Sequence, residues 1–171
     1  RRANLVYEDV LHGTADLGLV AFPVNHKELV SSVFAQDELI VAMNPDHPLA
    51  KKKKVRVKDL QGEEFIAFER DIPTRKATDE ILSNAGVEVS VVMEFDNVET
   101  VKRALEIKAG IAILPGNTVA NEVERDQLVA CKLEDGKHVR PLAVIHKKNR
   151  MLTPALRSFV DLMKIKPTAG D

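Results

Sequence analysis

The sequence has few of the residues that build disulfides and aromatic pockets. Its 171 residues include one cysteine, Cys131, no tryptophan and only 4% aromatic residues. A single cysteine excludes an intramolecular disulfide, which fits a reducing cytoplasm. Its place in the alternating segment LVACKLE is typical of a buried, inert thiol in a strand. The scarcity of aromatic residues argues against a pocket that stacks on a large aromatic ligand.

Neither sign of charge is in excess, and no long apolar run is present. The chain carries 25 basic and 26 acidic residues, for a net charge of −1, whereas a nucleic-acid-binding domain usually has a basic excess. The one basic run, at 51–54, is more typical of a solvated loop than of a phosphate-binding patch. No segment approaches the roughly 18 apolar residues that span a membrane, and no signal peptide is evident. We therefore expect this chain by itself to bind neither a membrane nor a specific DNA sequence.

The motifs of catalytic, metal and cofactor sites are also absent. The eight glycines are scattered and form no phosphate-binding loop. The five histidines do not occur at metal-ligand spacing with one another or with the cysteine, and the serines lack the context of a nucleophile elbow. The sequence therefore predicts neither an enzyme nor a bound metal or cofactor.

Apolar patterns with helical and strand periods alternate along the chain, which predicts the α/β class with a largely parallel sheet. Helices are expected over ANLVYEDVLHG, RKATDEILSNAG and DNVETVKRALEIKAG, the last with Asp96 and Glu99 at capping-box spacing. A final helix is expected to open at Thr153-Pro154. Its inward side chains are expected to be Leu156, Phe159, Val160 and Met163.

Four phrases occur in a fixed order: DVLHGTADLGLV, DELIVAMNPDHPLA, VKDLQGEEFIAFER and VETVKRALEIKAGIAILP. Together they resemble the effector-binding domain of LysR-type transcriptional regulators. In that family a helix ending in Gly precedes an Asp-Leu-Gly-Leu-like strand, and a His-Pro-Leu phrase follows the strand that crosses between two lobes. A Val-x-x-Gly-x-Gly-Ile-x-Leu-Pro phrase marks the return crossing, where Ala112 is a mild departure. The resemblance covers almost the whole chain.

The resemblance implies a two-lobed α/β fold of the type 2 periplasmic-binding-protein kind, truncated at the N-terminus. Lobe one would comprise residues 1–38 plus 116–171, and lobe two residues 39–115. The crossings would lie near Asp37–Leu39 and Leu114–Gly116. The family's winged helix-turn-helix and linker helix are not in these residues, and the first strand and first helix of the effector domain are likewise expected to be missing.

The resemblance also implies a function. The chain would be the effector-sensing domain of a bacterial LysR-type regulator, with a small, anionic molecule bound in the cleft between the lobes. Binding would modulate DNA binding and transcription by the intact protein. The expected partners are this effector, a second copy in a homodimer (a tetramer in the intact protein), and DNA only through the missing domain, all in the cytoplasm. Two alternatives stay open: a solute-binding protein of a transport system with the same fold, and an enzyme on this fold, which the missing catalytic motifs disfavour.

The stretch FIAFERDIPTR, residues 65–75, changes from apolar to charged halfway and is either a capped surface turn or the mouth of the effector pocket. Pro73 suits the first turn of the following helix, and Asp71 suits its N-cap. Arg70 and Arg75 could bind an anion, or they could pair with Glu69, Asp71 or Asp79 at the surface. The predicted effector-binding residues are Arg70, Asp71, Ile72, Pro73, Thr74, Arg75, Asn97, Val98, Gly116, Asn117 and Thr118.

Overall fold

The structure, a computed structural model, describes residues 3–165 of the chain. Residues 1–2 and 166–171, which the sequence prediction assigns to lobe one, lie outside the described residues. The helices are α1 (Ala3–His12), α2 (Pro73–Asn84), α3 (Val98–Glu106), α4 (Ala120–Glu124) and α5 (Pro154–Ile165). The strands are β1 (Gly18–Ala21), β2 (Leu29–Met43), β3 (Lys54–Val55), β4 (Glu64–Phe68), β5 (Ser90–Phe95), β6 (Ala112–Pro115), β7 (Val129–Leu133) and β8 (Val139–Lys147). Short 3-10 turns cover Pro48–Lys51, Val57–Leu60 and Gly116–Val119. Between residues 3 and 165, no helix has the length and apolar character needed to cross a membrane.

The chain folds into two compact units. The first unit runs up to Asp37 and resumes at Arg140, and the second unit is Glu38–Val139. The first boundary falls inside β2, close to the predicted crossing at Asp37–Leu39. The second boundary differs from the prediction, which placed it near Leu114–Gly116.

Strand pairing explains why the second boundary lies later in the chain. After β6, the chain continues into β7, and β7 pairs antiparallel with β2 from Ile40↔Lys132 to Met43↔Val129. It also pairs parallel with β3. Residues 116–139 therefore belong to the second unit, and β8 is the strand that returns the chain to the first unit. This correction moves the predicted segment 116–118 from the edge of lobe one into the body of the second unit.

The first unit has a small core between α1 and its strands. Strand β8 lies between β1 and β2 in the sheet order, and β1 pairs with β8 antiparallel from Gly18↔Ile145 to Ala21↔Leu142. The buried residues of this core are Val10, Val20, Ala143 and Ile145. Helix α1 contributes Val10 because its apolar residues recur at helical spacing along one face.

Helix α5 begins at the predicted position, but one of its predicted inward residues is wrong. The N–H of Leu156 donates to the hydroxyl of Thr153 at 3.3 Å, which is the expected N-cap bond. Val160 is buried, whereas Phe159 is 46% exposed. Neighbouring positions on a helix point about 100° apart, so Phe159 lies at the solvent-exposed margin of the face on which Val160 is buried.

The second unit is built on a mixed sheet, whereas the sequence predicted a largely parallel one. Strand β2 runs antiparallel to β6, from Leu39↔Pro115 to Ala42↔Ala112, and antiparallel to β7. Strands β4 and β5 are parallel. The N–H of Ile111 donates to Glu64 O at 2.9 Å, and the N–H of Ile66 donates to Ile111 O at 2.8 Å. These two bonds form a parallel bridge that places β6 beside β4.

The core of the second unit lies between this sheet and α3. Its buried members are Ile40, Ala42, Ile66, Phe68, Val101, Ala104, Leu105, Ala112, Leu114, Val119 and Leu128, with Ile72, Phe95, Val98 and Ala109 packed against them. Helix α3 buries Val101, Ala104 and Leu105, which lie three and four positions apart on one face. The ends of β4 and β6 and the start of α3 thus pack on one hydrophobic core.

Candidate functional site

Three parallel strands of the second unit end at one edge of its sheet. Strand β4 ends at Phe68, β5 at Phe95 and β6 at Pro115. The N–H of Glu69 donates to Phe95 O at 2.9 Å, which joins the first two of these ends. We call these three ends and the residues that follow them the carboxyl edge. Ligands of α/β sheets bind at such edges, outside the carboxyl ends of the strands.

A helix or 3-10 turn begins within five residues of the end of each strand of the carboxyl edge. Helix α2 begins at Pro73, α3 at Val98, and a 3-10 turn at Gly116. The first N–H groups of a helix have no partner within it, and the helix dipole is positive at that end. The edge therefore collects N–H donors and partial positive charge, which suits an anion.

The N-terminus of α2 lacks a side-chain cap. Pro73 occupies the first helical position, as the sequence predicted, but the prediction that Asp71 is the N-cap is wrong. The N-cap is Ile72, which has extended geometry (φ −81°, ψ 128°) and makes no capping bond. Asp71 lies one residue too early, and Ile72 takes the position because its side chain packs against the core. In this first turn Pro73 has no N–H, and the N–H of Arg75 donates to Ile72 O at 2.9 Å. The N–H of Thr74 is therefore the donor left for an acceptor from outside the helix.

Arg75, predicted as an effector ligand, is buried and bonded within the second unit. Its Nη1 donates to Phe68 O at 2.7 Å and to Glu94 Oε1 at 2.7 Å, and its Nε donates to Asp79 Oδ1 at 2.8 Å. Burial alone lowers the pKa of Arg75, but the bonds to Glu94 and Asp79 outweigh it and raise that pKa. The pairing with Asp79 matches the alternative drawn from the sequence, except that the arginine is buried. Binding of an effector by Arg75 stays a prediction, and these bonds argue against it.

Arg70 has the opposite environment, because its side chain is exposed. The hydrogen bond from Arg75 lowers the pKa of Glu94, and the charge of Arg70 adds to this effect from farther away. Thr74, in the first turn of α2, is only 4% exposed. Near the N-terminus of α2, Arg70 is therefore in contact with solvent, whereas Thr74 is packed inside the second unit.

Asn97 caps α3 in place of the predicted Asp96–Glu99 capping box. Its Oδ1 accepts from the N–H of Thr100 at 2.9 Å and from the Thr100 hydroxyl at 3.0 Å. Its Nδ2 donates to Asp96 Oδ1 at 2.8 Å. Asp96 is one residue too far from the helix to reach the Thr100 N–H. The Asn97 carboxamide is thus largely used in ordering its own loop, although its second N–H is left for another acceptor.

The segment after β6 is the third part of the carboxyl edge. Asn117 is exposed and Thr118 is half-buried, and the Thr118 hydroxyl donates to Pro115 O at 2.6 Å. Of the remaining predicted residues, Val98 is half-buried and packs against the core. All eleven predicted residues lie in the second unit, after the ends of β4, β5 and β6.

Lys102 is a charged residue beside this edge that the sequence did not predict. Its Nζ contacts Thr118 O at 3.2 Å and Glu122 Oε1 at 2.9 Å, and the residue is 7% exposed. The i, i+3 spacing of Glu99 and Lys102 is a signal for a local ion pair. Nothing in the local pattern connects Lys102 with a carboxylate twenty residues later, so its burial could not be predicted.

Comparison with protein families and curated proteins gives consistent matches. Residues 2–166 match the family described as "LysR substrate binding domain". A probable RuBisCO transcriptional regulator of Cyanophora paradoxa is 29% identical over 157 residues, which cover 88% of this chain and 48% of that protein. The transcriptional regulator CysL of Bacillus subtilis is 26% identical over 150 residues, covering 88% of this chain and 50% of that protein. The chain thus spans about half the length of these relatives.

Comparison with solved structures finds domains with the same fold as this chain. The CcmR regulatory domain of Synechocystis PCC6803, in complex with 2-PG, has a TM-score of 0.84 and 26% identity, covering 94% of this chain and 77% of that one. HinK, a LysR family regulator of Pseudomonas aeruginosa, has a TM-score of 0.85 and 17% identity, covering 96% of this chain and 57% of that one. The latter likeness shows the fold alone. The predicted α/β fold class and the predicted resemblance are confirmed.

Proposed function

Because the chain belongs to the LysR substrate-binding domain family, we propose that it binds a small anionic effector at the carboxyl edge of its second unit. The observation that carries this proposal is the convergence of two helix N-termini and one 3-10 turn on that edge. The N-cap residues of α2 and of the 3-10 turn make no side-chain capping bond. The N–H of Thr74 in the first turn of α2 can bind a carboxylate or phosphate oxygen. Exposed Arg70 adds a positive charge beside it.

The residues we assign to the effector are fewer than those the sequence suggested. The N-terminal turn of α2 with Thr74, the side chain of Arg70, and the turn at Asn117 and Thr118 carry the proposed contacts. Arg75 and Asn97 support the site from behind, since their polar groups bond mainly to the protein. The similar CcmR domain was solved with 2-PG, which makes 2-PG a suitable first probe.

We infer that the whole protein regulates transcription, which agrees with the names of the relatives that this chain matches over about half their length. DNA would be bound by a part of the protein outside these 171 residues, and the balanced charge of this chain supports that division. We propose that it acts as a homodimer in the cytoplasm, where the DNA of a bacterium lies, and that it senses an effector and catalyses no reaction. A transport role is not favoured by the relatives.

Thermal melts test the proposal. A ligand at 100 times its dissociation constant stabilises a protein by about 2.7 kcal/mol. We expect 2-PG to raise the melting temperature of the wild type, with a smaller rise for Arg70→Met and Thr74→Ala. Lys76→Met removes an exposed charge from α2 and serves as the matched control, which should keep the full rise. An equal rise in all four proteins would exclude this edge as the site.

A further inference from the structure

A buried ammonium group lies directly behind the carboxyl edge. The side chain of Lys102 is 9% exposed, and its Nζ lies 2.9 Å from Glu99 Oε1 and 2.9 Å from Glu122 Oε1. The same atom donates to Thr118 O at 3.2 Å. An ammonium carries three donors and no acceptor, so these three acceptors match its bonding capacity.

The three acceptors belong to three different segments. Glu99 lies in the first turn of α3, Thr118 in the 3-10 turn Gly116–Val119, and Glu122 in α4. Because the Thr118 hydroxyl also donates to Pro115 O, the turn is bonded to the end of β6 on one side and to Lys102 on the other. The side chain of Lys102 therefore joins the start of α3 to the 3-10 turn and to α4, which follow β6.

The positive charge of Lys102, and not only the length of its side chain, stabilises these contacts. Burial alone lowers the pKa of Lys102, but the hydrogen bonds to Glu122 and Glu99 outweigh it and raise that pKa. The Lys102 bond in turn lowers the pKa of Glu122. The other oxygen of Glu122, Oε2, is buried and has no hydrogen-bond partner within residues 3–165. Removal of the ammonium would leave this carboxylate without its counter-charge, which strongly disfavours the present packing.

We propose that Lys102 is a positioning residue, which fixes the turn Gly116–Val119 and α4 against α3 so that two of the three loops of the carboxyl edge keep one relative arrangement. The consequence for effector binding rests on the function proposed above. The positioning itself does not, because it concerns bonds within the second unit alone. Lys102 does not touch the effector in this scheme and acts through the Thr118 backbone.

Amide hydrogen exchange, measured by mass spectrometry on the wild type, Lys102→Met, Lys102→Arg and Arg103→Met, tests the positioning. Arg103 is the next residue of α3, with a 73% exposed side chain, and its replacement is the matched control. We expect exchange of residues 116–124 in Lys102→Met to rise about tenfold, while that of α2 stays near the wild-type value. Arg103→Met should leave both segments unchanged, and Lys102→Arg should restore part of the protection.

Two results would overturn the proposal. Exchange in Lys102→Met that rises equally in α2 and in 116–124 would mean a general loss of stability, and unchanged exchange would mean that the ammonium holds nothing. Should Lys102→Met fail to fold, Glu122→Gln removes the partner charge, and local exchange at 116–124 decides in the same way.

A 2-PG titration by calorimetry then separates this proposal from the proposed function. We expect Lys102→Met to bind about tenfold more weakly than Arg103→Met. Equal affinity would refute a link between the positioning and binding. If the wild type does not bind 2-PG, the proposed function fails for that anion, and the exchange data still decide the role of Lys102.

Discussion

Replacement of Arg75 by methionine separates a structural arginine from an effector-binding one. Methionine keeps most of the apolar stem of the side chain and removes the guanidinium. The change deletes the bond to Phe68 O and the pairs with Glu94 and Asp79. We expect a loss of stability and little effect on effector affinity beyond it.

The expected loss of stability in Arg75→Met depends on how exposed the hydrogen-bond partners of Arg75 are. The side chains of Asp79 and Glu94 are 56% and 39% exposed, so water can replace the arginine there, and these pairs add little. Phe68 is 8% exposed, and its carbonyl loses a bond to a charged donor, which contributes about 1.5–3 kcal/mol. We therefore expect Arg75→Met to lower the free energy of unfolding by about 2–3 kcal/mol. That corresponds to a fall in melting temperature of roughly 5–10 °C.

Urea unfolding followed by circular dichroism measures this change. Lys76→Met, on the exposed side of the same helix, is the control and should shift the free energy of unfolding by less than about 0.5 kcal/mol. Equal stability of Arg75→Met and Lys76→Met would refute the role of the buried network. Loss of 2-PG binding in Arg75→Met without loss of stability would show that the arginine is an effector ligand after all.

Two further predictions concern the second unit. Gly110 has φ +151°, and a Cβ there would lie 2.5 Å from Glu64 O, so Gly110→Ala should cost about 2–3 kcal/mol in a urea titration. Gly62→Ala, at φ +74° with open space around it, should cost only about 1 kcal/mol; a reversed order would contradict the close approach of β6 to β4. The lowered pKa of Glu122 contributes stability above its unfolded value, and that stability is lost as the pH falls through the folded pKa. The stability difference between wild type and Lys102→Met should therefore shrink as the pH falls through the lowered pKa of Glu122, and a difference independent of pH would argue against the ion pair.

The elements that the sequence predicted well are those with local signals. Pro73 is compatible only with the first turn of a helix, and Gly86 follows α2 at φ +64°, so the bounds of α2 could be predicted from neighbouring residues. The same holds for Thr153 before α5. The order of the three loops after β4, β5 and β6 could be predicted from the family resemblance, because the phrases that carry it include β4, α3 and β6.

The parts that the sequence did not predict depend on contacts between distant residues. The side chain of Arg75 could point outward to solvent or back to Phe68 O. The local sequence is compatible with both orientations, so it did not predict which one the protein adopts. The unit boundary after Val139 depends on the pairing of β7 with β2, which lie about ninety residues apart in the chain. The N-cap of α3 shifted by one residue because Asn97 and Asp96 are equally good caps by type.

Effector binding at the carboxyl edge is tested most directly by locating a bound anion on the chain. Backbone amide shifts, recorded by NMR during a titration with 2-PG and again with inorganic phosphate, report it residue by residue. We expect the shifted amides to cluster in three segments, residues 70–76, 97–100 and 116–118. Saturable shifts confined to other parts of the chain, with these three segments unmoved, would contradict this expectation.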